Sequence, residues 1–198
     1  MPRVSKAEAE KNRAVIEQVS SRLFREQGFH GISVADLMGA AGLTHGGFYG
    51  HFESKDALAA IACTRAFEDS EARWRKRVDD APDKTSALSA LIDGYLSSRN
   101  RNAAGTGCPA AALANDVARE ADDKPVRAAF HEGIEHLLEI LTDIQPGDNA
   151  TANRNDAVAQ LATLVGALVL SRATQGTPLS NEVLAATKAH LLAHVGED

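Results

Sequence analysis

The stretch from Ser33 to Lys55 concentrates residue types that bind phosphate groups. Ser33 and Thr44 each stand where a hydroxyl caps the first turn of a helix, which leaves backbone N–H groups and the positive dipole end available to an anion. Tyr49 and Lys55 add further hydrogen-bond donors. Two helices joined by a turn that contains glycine, here Gly42, can present the second helix to the major groove of DNA. The spacing therefore predicts a helix-turn-helix unit over Ser33–Lys55.

The predicted second helix of this unit, roughly His45–His51, is short and rich in glycine. Its three glycines are Gly46, Gly47 and Gly50. Each costs a helix roughly 1 kcal/mol relative to alanine, so they either mark a loop or allow close approach of the backbone to DNA. Phe48 and Phe52 are one turn apart and can anchor the inner face. The side chains left to face solvent or the groove are those of His45, Tyr49 and His51.

Cys108 is the second residue whose position suggests chemistry. It precedes Pro109, a favoured first helical residue, and is therefore predicted to occupy an N-cap position. There the helix dipole and the free amides stabilise a thiolate and raise its reactivity. The alternative is a small apolar residue that fits a tight turn. Cys108 and Cys63 are the two cysteines of the chain. They are too few for a disulfide framework and do not have metal-ligand spacing.

No other constellation indicates catalysis. The pairs His131/His136 and His190/His194 have no third ligand at a suitable spacing, so exposed histidines are expected rather than a metal site. The sequence contains no glycine-rich phosphate loop after a strand and no nucleophile elbow. It predicts no enzyme, no metal and no cofactor. The competing hypothesis is a helical protein whose unit serves protein association, or an unrecognised small-molecule enzyme; salt-dependent DNA binding separates the two.

The net charge of −6 weighs against a nucleic-acid partner, but its distribution does not. The first 50 residues hold six Lys/Arg and five Asp/Glu, whereas the whole chain holds 21 and 27. The acidity therefore lies in the remainder. A nearly neutral region binds phosphate if its few cations and helix N-termini are well placed. The cations of a predicted N-terminal arm, which either contact DNA or are simply solvated, are Arg3, Lys6, Lys11 and Arg13.

Apolar residues recur at three- and four-residue spacing along most of the chain, and no segment alternates like a strand. The pattern predicts an all-α protein of about nine helices, with a three-helix N-terminal domain at 1–53 and a helical domain at 54–198. Predicted helices of the second domain include Lys84–Arg99, Pro109–Glu120 and Asp156–Thr174. No apolar run approaches the roughly 20 residues of a membrane span, and no signal peptide is recognised. A cytoplasmic protein without a membrane partner is expected.

The segment FREQGFHGISVADLMGAAGLTHGGFYGHFESKDAL resembles the DNA-binding region of the TetR family of transcriptional regulators. The resemblance implies a homodimer that binds a palindromic double-stranded operator, typically a repressor released by a small-molecule effector. Gly107-Cys108 at a helix start resembles a branch that includes cysteine-based sensors of electrophiles and oxidants, so modification of Cys108 is a second expected release signal. The effector itself is not identified by the sequence.

The same resemblance implies roles for individual residues. Ser33 and the Val34 amide are expected to hold the DNA backbone, and His45 and Gly46 to face bases, with Gly47 beside the phosphates. The expected phosphate contacts are Thr44, Tyr49, His51 and Lys55. Because three glycines leave few side chains to reach base edges, sequence reading is expected to rely on His45, Tyr49 and DNA shape.

The C-terminal part is expected to hold the effector site and the dimer interface. Candidate residues of the effector site, any of which could instead be core, are Cys108, Trp74, Tyr95, Leu113, Val117, Phe130 and Ile134. The last two predicted helices carry an apolar band suited to a four-helix seam with a second copy, the alternative being an intramolecular core. The expected interface residues are Leu161, Val165, Leu168, Val169, Leu184 and Leu191.

Overall fold

The computed structural model describes residues 5–195, and every regular element in that range is helical. The predicted all-α class is confirmed. A 3₁₀ helix, His45–Gly50, lies between the second and third α-helices. The nine α-helices of the described range are α1 (Lys6–Gln27), α2 (Val34–Ala40), α3 (Lys55–Asp79), α4 (Lys84–Tyr95), α5 (Ser98–Asn102), α6 (Pro109–Arg119), α7 (Pro125–Asp143), α8 (Ala150–Ala173) and α9 (Pro178–Ala193).

Two predicted boundaries are wrong. The predicted helix Lys84–Arg99 is two helices, because Leu96 leaves the helical region at ψ 48° and the Ser97 hydroxyl caps a new helix by accepting from the Asn100 amide. The helix predicted to start at Asp156 starts at Ala150, because the Asn149 side chain accepts from two first-turn amides. Periodicity alone does not reveal such caps, since polar first turns carry little apolar pattern.

The N-terminal helices pack around a small aromatic core. α1 ends at Gly28, whose φ of 77° suits glycine, and the chain folds back so that Phe29 meets the Phe24 ring edge-on at 5.4 Å. Phe48 and Phe52 are buried in the same cluster, as predicted. α3 connects the N-terminal helices to the rest of the chain, because it packs against both α1 and α7. The expected domain division at residue 53 falls just before α3 and stays a prediction.

α8 and α9 pack against each other at the far end of the molecule. By length and composition α8 is apolar enough to cross a membrane, contrary to the expectation that no run approaches that length. A core helix of a soluble protein passes the same test, and Leu164 and Leu168 of α8 are buried in the core. The helix therefore gives no ground for a membrane span.

Candidate nucleic-acid interface and adjoining cavity

The N-terminus of α2 is fixed by a capping box, as the sequence predicts. The Ser33 hydroxyl accepts from the Asp36 amide at 3.1 Å, and the Asp36 carboxylate accepts from the Ser33 amide at 3.1 Å. Hydrogen bonds from the Ser33 side chain and backbone lower the pKa of Asp36. Ser33 remains exposed, so the first turn of α2 is both rigid and open to solvent.

Thr44 precedes the 3₁₀ helix in an extended conformation, but its hydroxyl makes no capping hydrogen bond. The predicted Thr44 cap is therefore wrong, and the predicted α-helix is a 3₁₀ helix. Both follow from a segment of only six residues that contains three glycines. Since Thr44 is exposed, its hydroxyl is available to an external acceptor.

The glycines of the 3₁₀ helix are not required by the fold itself. In the described part of the chain, positive φ occurs only at Gly28, Gly42 and Gly176, so the backbone at the three glycines of the 3₁₀ helix suits any residue. A Cβ added to Gly46 or Gly50 would meet nothing within 4 Å, and one on Gly47 would make ordinary contacts. The loop interpretation is wrong. Gly46 and Gly50 therefore leave a bare outward edge of backbone.

Tyr49 lies on that edge with 70 % of its surface exposed. Its ring meets the fully buried Phe48 edge-on at 5.2 Å, which orients the side chain without covering it. An exposed aromatic residue on a rigid support is unusual in a protein surface and marks a contact surface. His45 is exposed beside it, and His51 is half-buried.

Two cationic side chains donate hydrogen bonds to backbone carbonyls in or beside the helix-turn-helix unit. Arg13 donates to the His51 carbonyl at 2.5 Å, and its guanidinium lies 4.6 Å from the centre of the Phe52 ring. Lys55 donates to the Ile32 carbonyl at 2.6 Å. Arg13 was predicted to belong to an N-terminal arm, but it lies within α1, as do Lys6 and Lys11. Arg3 is outside the described residues. The i,i+4 pairing of Arg13 with Glu17 was the available signal.

A cavity of about 510 Å³ lies where α3, α4 and α5 meet the start of α6. We call it the arginine-lined cavity. Its lining residues are Ser70, Arg73, Trp74, Arg77, Gly94, Tyr95, Ser97, Arg99, Asn100, Ala103, Thr106, Gly107 and Cys108. Three candidate effector residues, Trp74, Tyr95 and Cys108, thus share one cavity. The other four do not line it: Leu113 and Val117 are buried, and Phe130 and Ile134 are half-buried against the core.

Burial and charge shape this cavity. The Tyr95 hydroxyl is buried without a hydrogen-bond partner in the described residues, and burial, with the nearby Cys108 thiol, raises the Tyr95 pKa well above its usual value. Arg73 is partly exposed at the mouth, yet desolvation and the neighbouring Arg77 lower its pKa. Cys108 occupies the predicted N-cap position of α6 and is buried.

The cavity is joined to the N-terminal helices by α6 and the loop before it. Buried Arg25, in the last turn of α1, donates to the Gly107 carbonyl at 3.1 Å. The Phe29 amide donates to Asp116 at 3.3 Å, and His30 lies 2.8 Å from Glu120. The segment that carries Cys108 therefore also holds the connection between α1 and α2.

The structure divides the expected interface residues into two groups. Leu161, Leu168 and Leu184 are buried in the core of this chain, so they are unavailable to a second copy. Those that remain half-buried are Val165, Val169 and Leu191. One face of α8 also carries a row of exposed apolar or small residues. This α8 stripe consists of Val158, Ala162, Gly166 and Leu170, of which Val158 is 46 % and Leu170 57 % exposed.

The comparisons with known proteins agree with this geometry. Residues 17–61 match the family described as bacterial regulatory proteins, tetR family. The chain is 29 % identical over 80 residues to the HTH-type transcriptional repressor KstR2 of Rhodococcus jostii, spanning 40 % of this chain and 39 % of that protein. It is 41 % identical over 58 residues to the HTH-type transcriptional regulator AcrR of Shigella flexneri, spanning 29 % and 27 %. The matches thus span well under half of these relatives.

The fold extends the likeness to the whole chain. A TetR-family transcriptional regulator from Cytophaga hutchinsonii has a structure with a TM-score of 0.79, at 22 % identity and full coverage of both chains. The family match runs from the second half of α1 to the first turns of α3 and so includes the helix-turn-helix unit. For the remaining residues the likeness is in the arrangement of the helices. Residues 17–61 therefore match the tetR family of bacterial regulatory proteins, and the described residues have the fold of solved TetR-family regulators.

Proposed function

We propose that this protein is a sequence-specific DNA-binding transcription regulator, and more narrowly a repressor. The observation that carries the proposal is the outward edge of the 3₁₀ helix, where exposed Tyr49 stands beside glycines that neither backbone conformation nor internal packing requires. A backbone edge without side chains allows a phosphate backbone to approach closely. The repressor role is supported by the similarity to KstR2, which is an HTH-type transcriptional repressor.

In this proposal the first turns of α2 and the 3₁₀ helix flank the DNA backbone. Ser33 and the Val34 amide hold one phosphate, while the uncapped Thr44 hydroxyl and Tyr49 hold the next. Lys55 and His51 stand at the edge of this surface, with Lys55 already bonded to the Ile32 carbonyl. His45 and the bare backbone at Gly46 and Gly47 face the base edges. The DNA-binding domain is residues 1–53.

We also propose a cytoplasmic homodimer, because one such unit binds weakly and two-fold symmetry matches a palindromic operator. The α8 stripe is the surface that needs a partner: four residues at four-residue spacing are exposed and apolar or small, and a Cβ at Gly166 would meet nothing within 4 Å. The half-buried Val165 and Leu191 flank it. Residues 54–198 would then form the effector and dimerisation domain.

Release from DNA would begin at the arginine-lined cavity. A small molecule in the cavity, or modification of Cys108, acts on the loop whose Gly107 carbonyl is held by Arg25. Asp116 and Glu120 at the other end of α6 hold Phe29 and His30. A shift of α6 therefore changes the position of the helix-turn-helix unit, which is a population shift between two states of a dimer.

The test is binding to the promoter region of the protein's own gene over a range of salt concentrations. We expect a steep negative slope of log affinity against log salt and a preference for one palindrome. Tyr49→Ala is expected to weaken binding at least about tenfold, since a hydrogen bond to a charged group is lost in each protomer. Lys76→Ala, an exposed cation on α3 paired with Asp80, is the matched control and leaves affinity unchanged.

A slope near zero without sequence preference would contradict the proposal and favour a role in protein association. Equal losses for Tyr49→Ala and the control variant would show that general charge or surface effects, rather than this edge, carry DNA binding. Tyr49→Phe isolates the hydroxyl, because it keeps the ring that packs on Phe48.

A further inference from the structure

The arginine-lined cavity has a charge of one sign. Three arginines, Arg73, Arg77 and Arg99, contribute to its lining, and no carboxylate does. In residues 5–195 none of these three guanidinium groups forms a hydrogen bond or an ion pair with another side chain. Arg75, on the same helix, shows the contrast: it points away and pairs with Glu71 at 2.9 Å. Within the described residues the three guanidinium groups are thus free to bind an anion, although Asp69 lies close enough to Arg73 to raise its pKa against the larger effect of burial.

The Arg77 guanidinium lies against the backbone of α4. A Cβ at Gly94 would lie 2.9 Å from the central carbon and Nε of the Arg77 guanidinium, so the absence of a side chain at Gly94 lets this group lie against the helix. A planar guanidinium offers paired donors that match a carboxylate. The position of this group therefore depends on a glycine in a neighbouring helix.

A buried polar group also faces the cavity. Tyr95 is 3 % exposed, lines the cavity, and its hydroxyl has no hydrogen-bond partner in the described part of the chain. Buried hydroxyls in native structures are normally satisfied. The nearby Ser97 and Asn100 side chains are already engaged with the Gly94 and Tyr95 carbonyls. The Tyr95 hydroxyl, which lies near the Cys108 thiol, thus makes no well-formed hydrogen bond within the described residues.

We propose that the arginine-lined cavity binds a small organic anion with an aromatic body, its carboxylate at Arg73 and Arg77 and its ring beside Trp74 and Tyr95. The volume of about 510 Å³ is in the range of small-molecule sites. A cationic ligand would meet arginines without a lining carboxylate, and an uncharged one would leave them unpaired. This inference rests on the proposed function only in that the anion would be the effector that releases DNA.

The binding test does not require DNA. Trp74 is the single tryptophan of the chain and lines the cavity, so its fluorescence reports occupancy directly. The probes are two matched pairs, benzoate with benzamide and 1-naphthoate with 1-naphthamide, measured by calorimetry and, for the benzoate pair, by Trp74 fluorescence. We expect the carboxylate of at least one pair to bind about tenfold or more tightly than its amide, with affinity falling as salt rises. Inorganic phosphate is expected to bind more weakly than that carboxylate.

Variants locate the effect. Arg73→Gln/Arg77→Gln is expected to abolish the preference for carboxylate over amide, whereas Arg75→Gln retains it. Gly94→Ala keeps every charge but displaces the Arg77 guanidinium, and we expect it to weaken carboxylate binding severalfold. Circular dichroism and thermal melting of each variant establish that it is folded.

Equal binding of acid and amide in both pairs, or of phosphate and the aromatic acids, would overturn the proposal, as would a preference that survives in Arg73→Gln/Arg77→Gln. The regulator proposal is judged separately by operator binding. A protein that binds its operator but shows no carboxylate preference overturns only the cavity proposal. A protein that prefers carboxylates but binds no DNA supports the cavity proposal and contradicts the regulator.

Discussion

Within the described residues, the outer edge of the 3₁₀ helix and the arginine-lined cavity differ in what they leave open to a ligand. At the edge, side chains are missing: a Cβ on Gly46 or Gly50 would point into open space. In the cavity, charged and polar side chains are present, but no carboxylate lines it, and within residues 5–195 neither Arg73 nor Arg77 forms an ion pair. The first surface suits a large, regular backbone that must come close. The second suits a small, charged molecule that must be recognised by its groups.

The two regions also differ in how they are supported. The edge rests on a local aromatic core from one stretch of sequence, with Phe48 and Phe52 beneath it. The cavity is assembled from α3, α4, α5 and the loop before α6, and a single buried side chain, Arg25, ties that loop to α1. Substitutions beneath the edge should therefore lower the stability of the fold. Substitutions around the cavity should instead weaken the connection between the loop before α6 and α1.

The largest expected effect concerns the support of the edge. Phe48→Ala removes a fully buried ring and is expected to lower the free energy of unfolding by about 3–5 kcal/mol. The adjacent Tyr49→Ala removes an exposed ring and should cost less than about 0.5 kcal/mol. Urea denaturation followed by circular dichroism measures both. Equal losses would mean that Tyr49 is part of the core, and the contrast between surface and support would fail.

A smaller loss is expected where the two regions meet. Arg25→Met removes hydrogen bonds to the Ser21 and Gly107 carbonyls, leaving buried acceptors unpaired, and should lower the free energy of unfolding by about 1–3 kcal/mol. Arg75→Met, which breaks only a largely exposed ion pair with Glu71, is the control and should cost less than about 1 kcal/mol. If the two variants lose equally in urea denaturation, Arg25 is not a special link.

The smallest effect distinguishes the two cysteines. Burial raises the pKa of the Cys63 thiol to about 12, so at pH 8 only about one Cys63 in ten thousand is a thiolate. Cys108 is also buried but lines the cavity. We expect iodoacetamide to modify Cys108 at least about tenfold faster, equivalent to about 1.4 kcal/mol in activation free energy. Mass spectrometry of Cys63→Ser and Cys108→Ser gives each rate.

The sensor role is tested with the same variants. If Cys108→Ser keeps the wild-type loss of operator binding after electrophile treatment, modification of Cys108 is not a release signal. If Cys63 reacts as fast as Cys108, the cavity does not distinguish the two thiols.

The helix-turn-helix unit was predictable because its information is local. The Ser33 cap and the buried pair Phe48 and Phe52 each depend on residues close in sequence, and both predictions are confirmed. The 3₁₀ geometry and the unused Thr44 hydroxyl were missed, because the choice between 3₁₀ and α depends on small free-energy differences.

The cavity was only partly predictable because it is made by tertiary packing. Trp74, Tyr95 and Cys108 were candidates by residue type, while the arginines that give the site its charge were not recognised. Arg73 and Arg77 look like ordinary exposed cations at i,i+4 on α3, as Arg75 is in fact. Arg73 and Arg77 are distinguished from Arg75 only by the cavity that they line and, for Arg77, by its contact with Gly94. Likewise, burial divided α8 into core and stripe, which an apolar pattern cannot do.

The open space at Gly46 and Gly50 has a consequence for how such a protein can change over time. A Cβ added at either position meets nothing within 4 Å and requires no unusual backbone conformation. Substitutions there are therefore nearly free of folding cost, yet on the proposed surface they would touch the operator first. Operator preference can thus diverge between duplicated copies through these two positions while the aromatic core beneath them stays under selection for stability.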